Sequence, residues 1–234
     1  VQSWLNLIFS DTLSFNEKVQ QVFEYQFESN PIYRRYCEAL GITPDGSSRY
    51  PLLPIKAFKE AAVTVHPDKD PELVFKSSGT SDMQRSIHRV YDPELYDQSL
   101  LKGFRHFYNL NNAVIWGYTP GYADNPHSSL IYMIQKLITQ DESGLSRFLP
   151  LDEPLQAEDI KEVKQSGKQL ILFGAAFGLL DLLELDSPAV PSNSIIIETG
   201  GMKTHKREMS RKELHRKLSR GFGLDESRIH SEYG

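Results

Sequence analysis

Apolar residues recur along this chain with two periods, and the changes from one to the other lay out the elements. Phe15, Val19, Val22, Phe23 and Phe27 share one face at helical spacing, behind a Ser14-x-x-Glu17 capping box, which predicts a helix from Phe15 onward. Asn30-Pro31 opens a second helix, with proline at the first helical position and Ile32, Tyr33, Tyr36, Cys37 and Leu40 turned inward until Gly41 stops it. Pro51 and Pro54 forbid helix over 50–55 and hold that stretch extended. Short strands are expected at 62–65, at 73–75 and across the apolar run from Ile87 to Tyr91. Asp92-Pro93 then caps a helix over about 94–108, with Leu95, Leu101, Phe104 and Phe107 on its buried side.

From there strands and helices alternate. Residues 113–118 (Ala-Val-Ile-Trp-Gly-Tyr) read as an apolar strand, followed by a helix through Leu130, Ile131, Ile134, Leu137 and Ile138 with Ser128 as its N-cap. An amphipathic helix over 158–165 precedes a strand at 169–173, and Gly174 to Gly178 turns that strand into an apolar helix ending near Leu185. Those glycines lack the Gly-x-Gly-x-x-Gly spacing, so they point to close helix–strand packing and not to a dinucleotide. Residues 194–197 form the most β-rich run, as in a strand buried on both faces, and Ser210-x-x-Glu213 opens a basic helix through Leu214 and Leu218. The pattern predicts an α/β protein: a layered, mostly parallel sheet with flanking helices over 73–234, on which an N-terminal helical and extended portion, 1–72, is packed.

Composition narrows the classes. With 234 residues there is room for one large domain or two small ones, and 39% hydrophobic with 24% charged residues is too apolar for a disordered chain. A net charge of −5 argues against a general nucleic-acid binder; the basic stretch Lys203 to Lys217 carries glutamates at helical spacing and reads as a solvated helix face. One cysteine, Cys37, excludes an internal disulfide, and no apolar run has the length of a membrane span, so the cytoplasm is the expected compartment. Cys37 lies on an apolar stripe and reads as a core thiol.

The candidate chemistry begins at Lys76-Ser77-Ser78-Gly79-Thr80-Ser81, a hydroxyl-rich turn between two strands. Such a loop can offer successive backbone N–H groups and hydroxyls to a polyphosphate, Gly79 allows close approach, and Arg85 can grip phosphate oxygens with its planar fork. It is not a Walker loop, because no Gly-Lys-Ser/Thr follows and no helix opens behind it; taken alone, such a run is also what a solvated turn looks like. The strand at 113–118 runs into Thr119-Pro120-Gly121-Tyr122, which makes Trp116, Tyr118 and Gly121 either the wall of an acyl or aromatic pocket or, for the two rings, plain core. His127 stands next to the Ser128 cap and within reach of the same turn in sequence. The strand at 194–197 delivers Glu198-Thr199-Gly200-Gly201-Met202-Lys203, where two glycines leave a flat backbone edge for a planar ring.

These pieces resemble the adenylate-forming enzymes. Residues 76–81 are similar to that family's phosphate loop, roughly Ser-Gly-Thr-Thr-Gly with a following lysine, and the terminal Ser231-Glu232-Tyr233-Gly234 resembles its Tyr-Gly-x-Thr-Glu motif. Ser86, His88 and the Gly-Gly-Met-Lys segment are closest to one branch, the acyl-protein synthetases of the fatty-acid reductase system in bacterial luminescence. Asp82 departs from the pattern, standing where the loop's second glycine belongs. A carboxylate there is unfavourable beside phosphates unless it points away or meets a metal.

The resemblance implies ATP-dependent activation of a carboxylic acid, in this branch a fatty acid, as acyl-AMP, followed by acyl transfer to a thiol of a protein. Ser77, Ser78, Gly79, Thr80, Ser81 and Ser86 are then nucleotide-binding candidates with Gly200, Gly201, Met202 and Tyr233; Arg85, His88 and His127 are catalytic candidates; and Trp116, Tyr118 and Gly121 face the acid. Mg2+ is implied as a cofactor, although the family's metal-binding glutamate, ribose-binding aspartate and catalytic lysine would all fall beyond Gly234. By the same token the chain, starting at Val1, reads as the N-terminal part of a longer protein and as inactive by itself. A phenylacetate-type coenzyme A ligase and a catalytically silent binding domain, for which Asp82 argues, are the alternatives. The acyl chain, the acceptor and the oligomeric state are not legible in these residues.

Overall fold

Two capped helices organise the beginning of the chain. The computed structural model describes residues 3–45, 50–77, 85–119, 125–199 and 209–232, and the chain clusters into two units, Val1–Leu100 and Leu101–Gly234. In the first unit, α1 (Trp4–Ile8) precedes α2 (Phe15–Ser29), where the Ser14 hydroxyl accepts from the Glu17 amide and the Glu17 carboxylate accepts from the Ser14 amide at 2.7 Å. Asn30 alone separates α2 from α3 (Pro31–Ala39), and its Oδ1 accepts from the amides of Ile32 and Tyr33, both at 3.2 Å. Phe23 is buried between the helices, edge-on to Phe27, Tyr33 and Tyr50. Residues 50–54 take no helix or strand, Ile55 already belongs to the turn that opens α4, and the Tyr33 and Tyr36 hydroxyls donate to the carbonyls of Pro51 and Leu52. Cys37 is buried and burial pushes its thiol pKa up, as befits a packed thiol and not a nucleophile.

After α4 (Ala57–Glu60) the expected strand at 62–65 does not form. A strand needs a partner for its backbone groups, and this segment instead uses the Thr64 hydroxyl, which donates to Tyr91 Oη at 2.9 Å while that hydroxyl donates to the His66 carbonyl. The next two strands pair with each other: β1 (Leu73–Lys76) and β2 (Ile87–Val90) form an antiparallel ribbon with Leu73 opposite Val90 and Lys76 opposite Ile87. Asp92 accepts from the Leu95 amide at the start of α5 (Pro93–Phe107).

In the second unit the apolar runs become the middle of a parallel sheet. The elements are β3 (Ala113–Tyr118), α6 (Ser129–Ile138), β4 (Arg147–Phe148), α7 (Ala157–Ser166), β5 (Gln169–Ala175), α8 (Ala176–Glu184), β6 (Ile195–Thr199), α9 (Arg211–Phe222) and β7 (Ile229–Glu232). The spatial order is β4-β3-β5-β6-β7, with every pairing parallel. All residues of β3 and β6 are buried, which is why both read as unbroken apolar runs and not as alternating ones. The fold is therefore α/β, as the pattern of runs predicts. β4 and β7 escape that pattern because they are short and lie at the two sheet edges; β7, Ile-His-Ser-Glu, holds no apolar run at all.

Packing explains two glycines and corrects one aromatic. A Cβ on Gly174 would stand 2.5 Å from Leu179 and 3.0 Å from the Tyr118 carbonyl, so this glycine lets α8 close onto β5 as its sequence context suggests. A Cβ on Gly117 would meet Phe148 at 2.7 Å. Phe107 is 77% exposed, not buried: Leu101, Phe104 and Tyr108 form the inward stripe at the end of α5, and position 107 turns off it.

The end of the sheet where the strands begin is fastened by a polar knot. Asp141, after α6, has a side chain 1% exposed; its Oδ1 meets Lys168 Nζ at 2.5 Å, and Oδ2 accepts from the Ser146 hydroxyl at 2.7 Å. Ser146 Oγ in turn accepts from the Ile115 amide, tying the loop to β3. Burial alone would raise the Asp141 pKa; Lys168, Ser146 and Ser143 reverse this and hold it well below the carboxylate range. Among the described residues no helix is long and apolar enough to cross a membrane.

Candidate functional site

The hydroxyl-rich loop hangs from the β1–β2 ribbon in the first unit. Just beyond the last strand pair, the Ser77 amide donates to the Ser86 carbonyl at 3.0 Å and the Ser86 amide donates to Ser77 Oγ at 2.9 Å. This reciprocal pair closes the neck of the ribbon, so the ends of the loop are held by backbone as well as side chain, and Ser86 is buried. Ser78, Gly79, Thr80, Ser81 and the divergent Asp82 lie outside the described residues. Arg85 emerges exposed beside the neck. His88 points elsewhere: opposite Phe75 in the ribbon, its ring stacks on Phe58 of α4 at 4.7 Å between centroids, and burial lowers its pKa. A neutral ring in an aromatic stack has an evident packing role, which sequence spacing does not disclose.

Three of the strands that precede the remaining candidates end at one edge of the second unit's sheet. Register puts Tyr118, Gly174, Glu198 and Ser231 in a single row across β3, β5, β6 and β7, at the carboxyl ends of those strands. One residue further, Thr199 pairs with Glu232. Gly200, Gly201 and Met202 follow Thr199 directly in sequence, Tyr233 follows Glu232, and Gly121 follows Tyr118 by three; these five lie outside the described residues. In open α/β sheets the strand carboxyl ends are where ligands bind. Trp116 and Tyr118 themselves are in the core: both are at most 2% exposed, and the indole N–H donates to the Leu145 carbonyl while Arg147 lies over the ring. His127 is in the turn before α6, its amide donating to Asn125 Oδ1, and Ser128 caps the helix by accepting from the Ile131 amide.

The chain shows limited similarity to a known protein. No family model matches it. It is 25% identical, over 234 residues, to the long-chain-fatty-acid–luciferin-component ligase of Vibrio harveyi, an alignment covering 88% of this chain and 58% of that protein. The chain thus spans less than two thirds of the curated relative it matches.

The same edge holds a group that sequence reasoning missed. Glu198 is buried, with its side chain 3% exposed. Its Oε1 accepts from the Ser231 hydroxyl at 2.5 Å, lies 3.3 Å from His215 Nε2 and is 3.6 Å from Arg211 Nε. His215 Nε2 is also 3.1 Å from Ser231 Oγ. With the serine proton directed to Glu198, the tautomer with its hydrogen on Nε2 satisfies both oxygens. Serine, histidine and glutamate are all present, yet this is not a nucleophilic triad. A triad needs a bare nitrogen facing the serine and the carboxylate on the opposite ring nitrogen, whereas both oxygens here approach Nε2. Next to it, Glu232 has its pKa raised by burial and by the charge of Glu198. The one available signal was a carboxylate at the end of an apolar strand, Ile-Ile-Ile-Glu-Thr.

Among the described residues no group of three or more His, Cys, Asp or Glu side chains is arranged to hold a metal ion. No chemical step is assigned to a metal ion.

Proposed function

We propose that this chain is the nucleotide- and acyl-binding portion of an adenylate-forming ligase that activates a fatty acid and passes the acyl group to a thiol, as an acyl-protein synthetase does. The observation that carries the reading is the common edge of the sheet: β3, β6 and β7, the strands that precede Gly121, the double glycine and Tyr233 in sequence, all end there in one parallel sheet. The similarity to a protein named as a fatty-acid ligase points the same way.

The chemistry has two steps. A carboxylate oxygen of the acid attacks the α-phosphorus of ATP, the bond to the bridging oxygen breaks, and pyrophosphate leaves. The resulting acyl-AMP is a mixed anhydride, whose carbonyl is attacked by a thiolate with AMP departing as the leaving group. The chain's part is positioning and electrostatics. Gly200, Gly201, Met202 and Tyr233 are assigned to the adenine, and Ser77 to Ser81 with Arg85 to the charge of the leaving pyrophosphate. Trp116 and Tyr118 contribute by packing β3, the strand that precedes Gly121 in sequence.

The test is fatty-acid-dependent exchange of labelled pyrophosphate into ATP by the full gene product that carries this chain. Exchange that requires the acid supports the proposal, and a hydroxylamine-labile acyl label on protein after incubation with ATP and radioactive fatty acid supports the thiol transfer. No exchange with saturated acids from eight to eighteen carbons would sink it.

A further inference from the structure

Leaving a phenyl ring in water forgoes the stabilisation of burying it. Phe107, the last residue of α5, is nonetheless 77% exposed. It borders a hollow of about 380 Å³ formed by Arg105 to Asn111, at the end of the sheet where β3 begins. His106 stands at 90° to the Phe107 ring and the Tyr108 ring is 6.4 Å from it, so neither lies flat on it. Part of the lining is fixed: Leu110 is buried, and the Tyr108 hydroxyl donates at 2.7 Å to His230 Nδ1, whose ring keeps its hydrogen on Nε2, 3.1 Å from the Ser227 carbonyl. The polar groups are open. Arg105 Nη2 donates to Gln140 Oε1 at 3.2 Å, and a neutral amide steadies the guanidinium without cancelling its charge. The carboxylate next in sequence, Asp141, is taken by Lys168. The exposed carboxamides of Asn109 and Asn111 bond to no described side chain. A cation in the last turn of a helix offsets the negative end of its dipole, which accounts for Arg105 and His106. It accounts for neither the uncovered ring nor the two open carboxamides around a concave surface.

We propose that this hollow binds a nucleoside monophosphate. The base lies on the face of Phe107, Asn109 and Asn111 meet its hydrogen-bonding edge, and Arg105 takes the phosphate through its planar fork. The volume is within the range of small-molecule sites, and an aliphatic acid would leave both the ring face and the carboxamides unused. The site lies at the amino end of β3, away from the carboxyl ends to which acyl activation is assigned, and it does not depend on that reading.

The test is calorimetric titration of the full gene product that carries this chain with GMP, guanosine and ribose phosphate. GMP has the wide ring face of a purine without the adenine that the ligase reading assigns to another site. It is expected to bind, with guanosine, which lacks the phosphate, and ribose phosphate, which lacks the base, each at least about tenfold weaker. Phe107→Ala and Arg105→Gln should each weaken GMP at least about tenfold while Tm and acid-dependent pyrophosphate exchange stay unchanged, because both side chains are exposed and outside the proposed machinery. No heat with GMP at about 1 mM overturns the proposal. So does ribose phosphate binding as tightly as GMP, or a GMP affinity that neither variant lowers. If a variant does not fold, the comparison of GMP with its two fragments still decides, and equal affinities for all three overturn the site. Absence of exchange in the unsubstituted protein would overturn the ligase reading alone, since the titrations do not require it.

Discussion

Replacing Lys168 by methionine keeps most of the side-chain volume and removes the ammonium that lies 2.5 Å from Asp141. Asp141 would then be a carboxylate with a side chain 1% exposed and no cation. Breaking one partner out of a buried pair costs about 3–5 kcal/mol; the two serine hydroxyls on Asp141 remain, which places the expected loss near the lower figure, about 3 kcal/mol at pH 7. For a unit of this size that corresponds to roughly 10 °C in Tm. The pH dependence carries the argument. In the unsubstituted protein the folded-state pKa of Asp141 is depressed, so its stabilisation is present above the unfolded value near 4 and is lost as pH falls through the folded value. In the variant burial acts with less opposition, the folded pKa rises, and protonation relieves the buried charge on acidification. The stability gap should therefore narrow by at least about half between pH 7 and pH 4. Urea unfolding followed by far-ultraviolet circular dichroism, at several pH values in that range, measures it. A gap under about 1 kcal/mol at pH 7, or one constant with pH, would refute the account of the knot.

Three other outcomes are expected. Arg85→Ala should lower the rate of pyrophosphate exchange by at least about tenfold, as loss of one charge-assisted contact to the leaving group, and unchanged exchange would remove Arg85 from the phosphate assignment. His88→Asn should leave exchange within about twofold while costing about 1 kcal/mol of stability through loss of the stack on Phe58, measured by thermal melting; a large drop in kcat would return His88 to the chemistry. Gly174→Ala should destabilise by about 2–3 kcal/mol, because the new methyl meets Leu179, buried in α8, at 2.5 Å, and a melting curve unchanged within error would show that α8 can yield.

Much of the candidate site was legible because its pieces are local. Ser77 and Ser86 could be marked by their place on either side of a hydroxyl-rich turn, but that they clamp each other depends on the strand register. The glycine pair after β6 was visible, and so was the Tyr233 segment; their departure from adjacent strands was not, since β7 has no apolar run and its pairing with β6 is a long-range event. The stack of His88 on Phe58 was not legible, because alternation along a strand says which face a ring takes and nothing about which aromatic from a preceding helix waits there.

By itself the sequence determined the helices with their caps, the two strands buried on both faces and hence the α/β class, since capping and periodicity are interactions among residues a few positions apart. Tertiary structure alone decided which carboxylates would be buried and with whom. Asp141 meets Lys168 and Glu198 meets Ser231, pairs far apart in the chain, because strand order and register bring them together. Pairing of that kind depends on the topology of the whole sheet, and no window of neighbouring residues contains it.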